Sequence, residues 1–447
     1  MRGWLWLSIM VAACGESAQP TPPPSPPPGP PPAAAPTVGE ASAVTAKEPE
    51  PADASAAPPP RDRCGKGPWA MYAHDAARTS ASDGCVEGAL KISWSFAPRG
   101  PCGYKNANGR VRNAVADAEA AYASGDCAAA PAVWRVDSSG APVWTMSRAD
   151  VTRGSWAAIA GDKLVVADDG VYLLDRATGK YHSRELDVWG EPIADGDAYW
   201  VDNTMQLDGA GPFVGRFDGS LHWVWKSSRF DGAKGKDIAN VGGIALASNV
   251  IVHAAAAGPR GAPTLSAYDA QTGDRKWTAK GTWPESAPSI ADDRVYVLER
   301  WSGEKDDRLV ARALGTGDIV WSQKLGWARG ASPAVAPKVI LVHARDGVTA
   351  FDRRNGDRVW STSHPRVTPL VQSLTTLAVA QGSDTVVVTT GNRLAVLKLA
   401  DGKEVWSDAV ITGDGAIASN PIVVGHTVYV AVRTLMNMGS LVRLDPK

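Results

Sequence analysis

Charge of one sign is what this 447-residue chain most plainly lacks: 46 Lys and Arg stand against 47 Asp and Glu, a formal net charge of −1. The absence of a basic stripe or a run of like charges argues against nucleic acid as partner and against general electrostatic attraction to anionic lipid. Long apolar runs are missing too. The run at the start, Trp4 to Ala13, is too short to cross a bilayer as a helix. Cysteine is scarce, with five in all, no two adjacent and none at metal-ligand spacing, which argues against zinc. There is no HExxH, no nucleophile elbow and no phosphate-cradling glycine loop. The seven histidines are scattered. His253 in VIVHAA and His343 in ILVHAR occupy similar second-strand positions, where satisfied structural histidines are expected. The acid pairs Asp168-Asp169, Asp292-Asp293 and Asp306-Asp307 fall in turn contexts and read as solvated turns. No catalytic residue, cofactor site or metal set emerges.

What the chain has is one recurring phrase. YDAQTGDRKW ends at Trp277, ALGTGDIVW at Trp321, FDRRNGDRVW at Trp360, LADGKEVW at Trp406, FDGSLHW at Trp223 and VDSSGAPVW at Trp144, each tryptophan four residues after a glycine. A seventh copy, LDRATGK, puts Ser183 where the tryptophan belongs. The glycines at 140, 179, 219, 273, 317, 356 and 402 are spaced by 39, 40, 54, 44, 39 and 46 residues. Such a period in an all-β sequence predicts propeller blades. Within one repeat, Ser332 to Val335, Val339 to His343, Val348 to Asp352 and Asp357 to Trp360 read as four strands. Ala336-Pro337-Lys338, Asp346-Gly347 and Arg353 to Gly356 read as the turns between them. A lone four-stranded sheet cannot bury both faces, whereas stacking it on copies of itself can.

The count closes at eight. Beyond Trp406 the chain supplies three more strands, and Leu90 to Phe96, which carries Trp94, precedes the first blade and can be the missing fourth. Pairing the two ends in one sheet removes the exposed edge. Seven blades with an odd tail is the competing count. The phrase tryptophans are expected to be structural wedges between blades. A second set, Trp156, Trp189, Trp283 and Trp327, lies in the connections between blades, with Arg329 and Arg345 nearby in sequence. These six form a candidate binding surface for peptide, glycan or protein, the alternative being rim residues that cover blade edges.

The N-terminus reads as a secretion signal over 1–13 followed by Cys14, in a Val11-Ala12-Ala13-Cys14 context that resembles the bacterial lipobox. An ordinary cleaved signal is the competing reading. Gly15 after the cysteine resembles lipoproteins sorted to the outer membrane. Residues 14–63 are rich in Pro and Ala, cannot form a core, and read as an extended spacer reaching roughly 100 Å. The remaining Cys64, Cys85, Cys102 and Cys127 suit an oxidising compartment; Cys64 with Cys85 and Cys102 with Cys127 is the favoured pairing of three. Residues 64–447 then form the propeller.

The repeated xLDxxTGxxxW phrase, the Pro-Ala-Val-Ala entry strand and the opening WAMYAHDAARTSASDG at Trp69 to Gly84 resemble the quinoprotein-like, or PQQ-like, propeller repeat family, over about Trp69 to Lys447. Two branches of that family imply different functions. Quinoprotein dehydrogenases stack their quinone on a ring made by two adjacent cysteines and hold calcium with Glu, Asn and Asp; this chain has no such cysteine pair, and no calcium set can be matched. The BamB-like outer-membrane lipoproteins are eight-bladed scaffolds without catalysis. The resemblance implies an all-β, eight-bladed, non-catalytic lipoprotein, monomeric, anchored to the outer membrane on its periplasmic side, and bound to envelope proteins through loops such as Asp202 to Pro212 and Trp301 to Arg308. It implies no cofactor. A carbohydrate- or peptide-binding sensor and a divergent oxidoreductase are the alternatives.

Overall fold

The computed structural model describes residues 64–98, 109–127, 130–147, 156–167, 170–186, 190–203, 213–227, 242–255, 264–279, 282–301, 303–326, 328, 331–344, 347–363, 377–411, 415–417, 419–433 and 439–447. Eight antiparallel sheets follow one another along the chain as the blades of a β-propeller. Blade one contains Gly109–Ala116, Ala120–Cys127, Ala130–Asp137 and Pro142–Ser147, and blade four Gly242–Ala247, Val250–Ala255, Thr264–Asp269 and Arg275–Ala279. In blade eight, Leu90–Phe96 pairs antiparallel with Gly439–Pro446, with Trp94 opposite Arg443 and Phe96 opposite Leu441. The chain ends therefore meet in one sheet and the ring is closed. Val, Ile, Leu and Ala line the two inner strands of each blade and are buried between neighbouring blades.

The phrase has a geometric meaning that its spacing alone does not show. Its glycine takes a left-handed conformation, as at Gly317 (φ +78°) and Gly356 (φ +79°). A Cβ there would lie 2.6 Å from the indole of the preceding blade, Trp277 for Gly317 and Trp321 for Gly356. Glycine is required twice over, by φ and by the ring pressed against it. The same indole donates Nε1–H to a carbonyl of the next blade's turn: Trp144 to Arg176 (3.2 Å), Trp277 to Leu314 (2.7 Å), Trp321 to Arg353 (3.3 Å) and Trp360 to Leu399 (2.8 Å). Trp94 does this for the closing joint, donating to Ser138 at 3.0 Å. An aspartate opens most of the turns; Asp137, Asp175, Asp218, Asp269 and Asp352 accept backbone N–H groups two or three residues on. Hydrogen bonds hold all five carboxyls below the ordinary range, led by the side chains of Ser139, Thr178 and Arg354 at Asp137, Asp175 and Asp352 and by backbone N–H groups at Asp218 and Asp269.

Blade three departs from the pattern expected of it. Its wedge is Trp225, not Trp223: Trp225 bonds the Ala270 carbonyl at 3.0 Å, and Gly273 of blade four seats on its ring. Trp223 instead stacks on Phe217, with centroids 3.8 Å apart. The preceding turn is one residue shorter than in blade four, since Asp218 N–H bonds His222 O where Asp269 N–H bonds Asp274 O, and this shifts the register. The left-handed site falls on Leu221 (φ +63°) rather than on Gly219. Leu221 is buried, and the residue of blade two at the indole position is Ser183. By register, the blade without an indole is thus followed by the turn that carries leucine in place of glycine. Ser183→Trp alone should overpack this joint and cost about 1 to 3 kcal/mol. Adding Leu221→Gly should recover most of it, which urea unfolding of the two variants would test.

Candidate functional site

A segment that no strand pattern announces crosses the centre of the ring. Trp69 pairs with Ala116 at the end of blade one's innermost strand. Ala70 O then accepts from Ile159 N of blade two, Ala76 O from Leu246 N of blade four, and Ala77 O from Ile290 N of blade five. Thr79 O accepts from Val335 N of blade six, Ser80 O from Val379 N of blade seven, and Cys85 N donates to Gly425 O of blade eight. Ala81 and Ser82 run parallel to Val379 and Ala380. Met71 joins the buried apolar cluster that contains Ile193 and Ala194 of blade three. One strap therefore touches the innermost strand or turn of every blade in order. Its alanines at 70, 73, 76, 77 and 81 are the sequence signal, because a small side chain lets the backbone approach this closely.

Two strap side chains, Tyr72 and Arg78, gather polar and aromatic groups at the axis. Tyr72 meets Trp156 edge-on, with centroids 5.2 Å apart and planes at 88°. Arg78, fully buried, lies 5.1 Å from the Tyr72 ring, donates to the Ile244 carbonyl and pairs with Glu191. Beyond Glu191 lies Asp202, and Asp202 Oδ2 is 4.0 Å from His253 Nε2 of the next blade. Burial first, and then the Glu191 charge, push the Asp202 carboxyl up to about 7 against the opposing Arg78. Burial pulls His253 down to about 4. The distance alone would admit an ion pair, but both shifts disfavour the charged forms, and the pair is neutral at mildly acid pH. His343 is not its counterpart: counted from Val250 opposite Asp269 and from Val339 opposite Asp352, the two histidines differ by one residue and point to opposite sheet faces.

These shifts make opposite contributions to stability. Asp202 has a folded value above its ordinary 3.8, so its contribution is full below pH about 4 and is lost as pH rises through about 7. His253 has a folded value below 6.5, so its contribution is lost as pH falls from there through about 4. Asp202→Asn removes only the first. The variant should therefore gain stability relative to the parent between pH 5 and pH 8, measured as urea midpoints at the two values.

The expected binding surface is only partly placed. Trp156 opens the first strand of blade two and packs against the strap. Trp283 sits in Thr282–Pro284 opposite Arg300. Trp189, Trp327, Arg329, Arg345, Cys14 and Cys102 lie outside the described residues, as does the Cys127 side chain, although its backbone closes Ala120–Cys127. Cys64 and Cys85 are joined through sulfur, with Cα atoms 5.2 Å apart.

The Trp301 to Arg308 loop is built rather than loose. Arg308 grips Glu304 through two bonds of 2.8 and 3.0 Å and lies 4.1 Å from the Trp301 ring. The Arg308 bond holds the Glu304 carboxyl below its ordinary range. Asp307 is buried, not a solvated turn residue as its pairing with Asp306 suggests, and accepts Ala328 N–H at 2.9 Å. Of the other loop, only Asp202 and Asn203 are described.

Comparison with known proteins joins these observations. The family model described as outer membrane protein assembly factor BamB matches residues 261–435. An outer membrane protein assembly factor BamB of Bordetella pertussis is 26% identical over 156 residues, covering 34% of this chain and 38% of that one, well under two thirds of its length. Among solved structures, the quinohemoprotein alcohol dehydrogenase of Comamonas testosteroni superimposes with a TM-score of 0.65 at 14% identity, over 86% of this chain and 81% of that one. BamB from Moraxella catarrhalis gives 0.53 at 16% identity, over 80% and 98%. A europium-containing methanol dehydrogenase gives 0.62 at 14%, over 85% and 98%. Identities this low carry the fold alone, and the two kinds of neighbour differ in chemistry. What they share with this chain is the β-propeller fold, and through that fold and the matched stretch the chain resembles the PQQ-like β-propeller family.

Proposed function

We propose that the protein is an envelope lipoprotein, anchored through Cys14 on the periplasmic side of the outer membrane, that acts as a non-catalytic scaffold in outer-membrane protein assembly. In this reading 1–13 is the signal peptide, 14–63 the lipidated cysteine and spacer, and 64–447 a monomeric binding propeller. Support comes from the partial likeness to BamB proteins and from the lipobox-like start. The observation that carries it is the Trp301 to Arg308 loop, which lies inside the matched stretch. An Arg stacked on a Trp and tied down by Glu304 offers a preorganised pair of the residue types that dominate protein interfaces.

The test uses the full-length chain in its own membranes. Trp301→Ala, Lys305→Ala and Asp306→Ala are combined, while Asp307 is kept because it supports the Ala328 turn. The expected result is about 30-fold weaker co-purification of an envelope protein with the fold retained, the loss typical of an interface anchor, with Trp301→Phe as the control for the lost Nε1–H bond to Glu299. Undiminished co-purification would mean that this loop is not the docking surface.

A further inference from the structure

The strap is fastened in a way that a simple filler does not need. Its two ends meet where it passes from blade eight back to blade one: the sulfurs of Cys64 and Cys85 are bonded, and Gly65 N–H donates to Asp83 O at 2.9 Å. Between the ends, Ala73, His74, Arg78 and Ser80 have φ of 58°, 82°, 55° and 55°. Non-glycine residues hold such a conformation only where their surroundings impose it. Blades two, four, five and six each donate one N–H to a strap carbonyl, and only Ala81–Ser82 pair with a blade as a strand, so most of the strap is seated by isolated bonds. Of the two sulfur-bearing residues, Cys85 is 1% exposed and Cys64 is half-buried, so reagents reach the bond from Cys64.

We propose that the Cys64–Cys85 bond is the buckle of a releasable strap: oxidised, it holds residues 64–85 across the propeller axis, and reduced by a dithiol it lets them leave. In the exchange, one thiolate of the reductant attacks the Cys64 sulfur. The Cys64–Cys85 bond breaks, and Cys85 departs as a thiolate that takes up a proton. The second thiol of the reductant then displaces Cys64, which is also protonated. Two electrons and two protons have passed to the protein, and the reductant ends as a disulfide. The blades do not need the buckle, because Leu90–Phe96 already closes the ring at its outer edge. Departure of the strap withdraws Arg78 from Glu191, leaving that side chain and Asp202 without the guanidinium that faces them.

The cysteines are separated by 21 positions. In the chain-entropy picture, closing a loop of that length favours the seated state by roughly 100- to 300-fold. The test is hydrogen exchange on the folded full-length protein, with and without a soluble dithiol, in a Cys102→Ser/Cys127→Ser background so that no other bond is reduced. The amides of Ile159, Leu246, Ile290, Val335 and Val379, which donate to strap carbonyls, should exchange roughly 100- to 300-fold faster after reduction. Those of Val165, Val252 and Val342 in the second strands should keep their protection. Unchanged exchange at the first five overturns the proposal. Loss of protection at the second strands as well also overturns it, because the strap would then be inseparable from the fold.

Discussion

Deleting Leu90–Phe96 should leave a protein that no longer unfolds in one cooperative step. The segment is the outermost strand of blade eight, and Leu90 and Phe96 are both buried. Removing two such side chains from the core forfeits about 3 to 6 kcal/mol. It also bares the edge of Gly439–Pro446, whose Leu441, Val442 and Leu444 are buried in the same cluster. That total is comparable with the whole stability of an ordinary domain. Trp94→Ala should be milder. Its ring is half-buried and its Nε1–H reaches an exposed carbonyl, so about 2 kcal/mol is expected, below the 3 to 5 typical of a buried indole. Trp360→Ala, at 8% exposure with its N–H bond buried, should show the full value. Guanidinium unfolding of the three variants checks the order. A deletion variant with the parent's midpoint would mean that the terminal strands do not close the ring.

Blade count, closure and wedge tryptophans were legible because each follows from a repeated local pattern. Seven copies of a turn fix the period, and a period of that length has one packing solution. Blade three misled for the same reason. Gly219 stands four residues before Trp223, as the phrase requires, yet a shorter turn moves the left-handed site to Leu221 and the wedge to Trp225. Spacing cannot reveal a shift that preserves spacing. The strap was illegible for a different reason. Trp69 to Cys85 meets the blades largely through backbone groups, which leave no period, and the alanines that permit the close approach carry no strand signal. The axial group is likewise a product of tertiary structure: Arg78, Glu191, Asp202 and His253 come from the strap and two blades, and nothing in their spacing joins them.

Substituting Glu299 should be among the most damaging single changes in the chain. Glu299 is fully buried in blade five, and its two oxygens receive Arg312 Nε at 2.7 Å and Nη2 at 2.8 Å. Arg312 Nη1 in turn donates to Gly317 O at 2.8 Å. Gly317 is the residue on which Trp277 of blade four seats, so the ion pair supports the joint between two blades. Trp301 Nε1–H adds a third bond to the carboxylate at 3.3 Å, linking it to the base of the candidate docking loop. Glu299→Ala leaves a guanidinium buried without its partner, and such changes cost about 3 to 5 kcal/mol. The pair need not itself be stabilising, because desolvating both charges offsets much of their attraction. Glu299→Leu combined with Arg312→Met should therefore be clearly less harmful than Glu299→Ala alone. Urea midpoints for the single and double variants decide the matter. A single variant no worse than the double would show that Arg312 finds another partner or reaches water when Glu299 is gone.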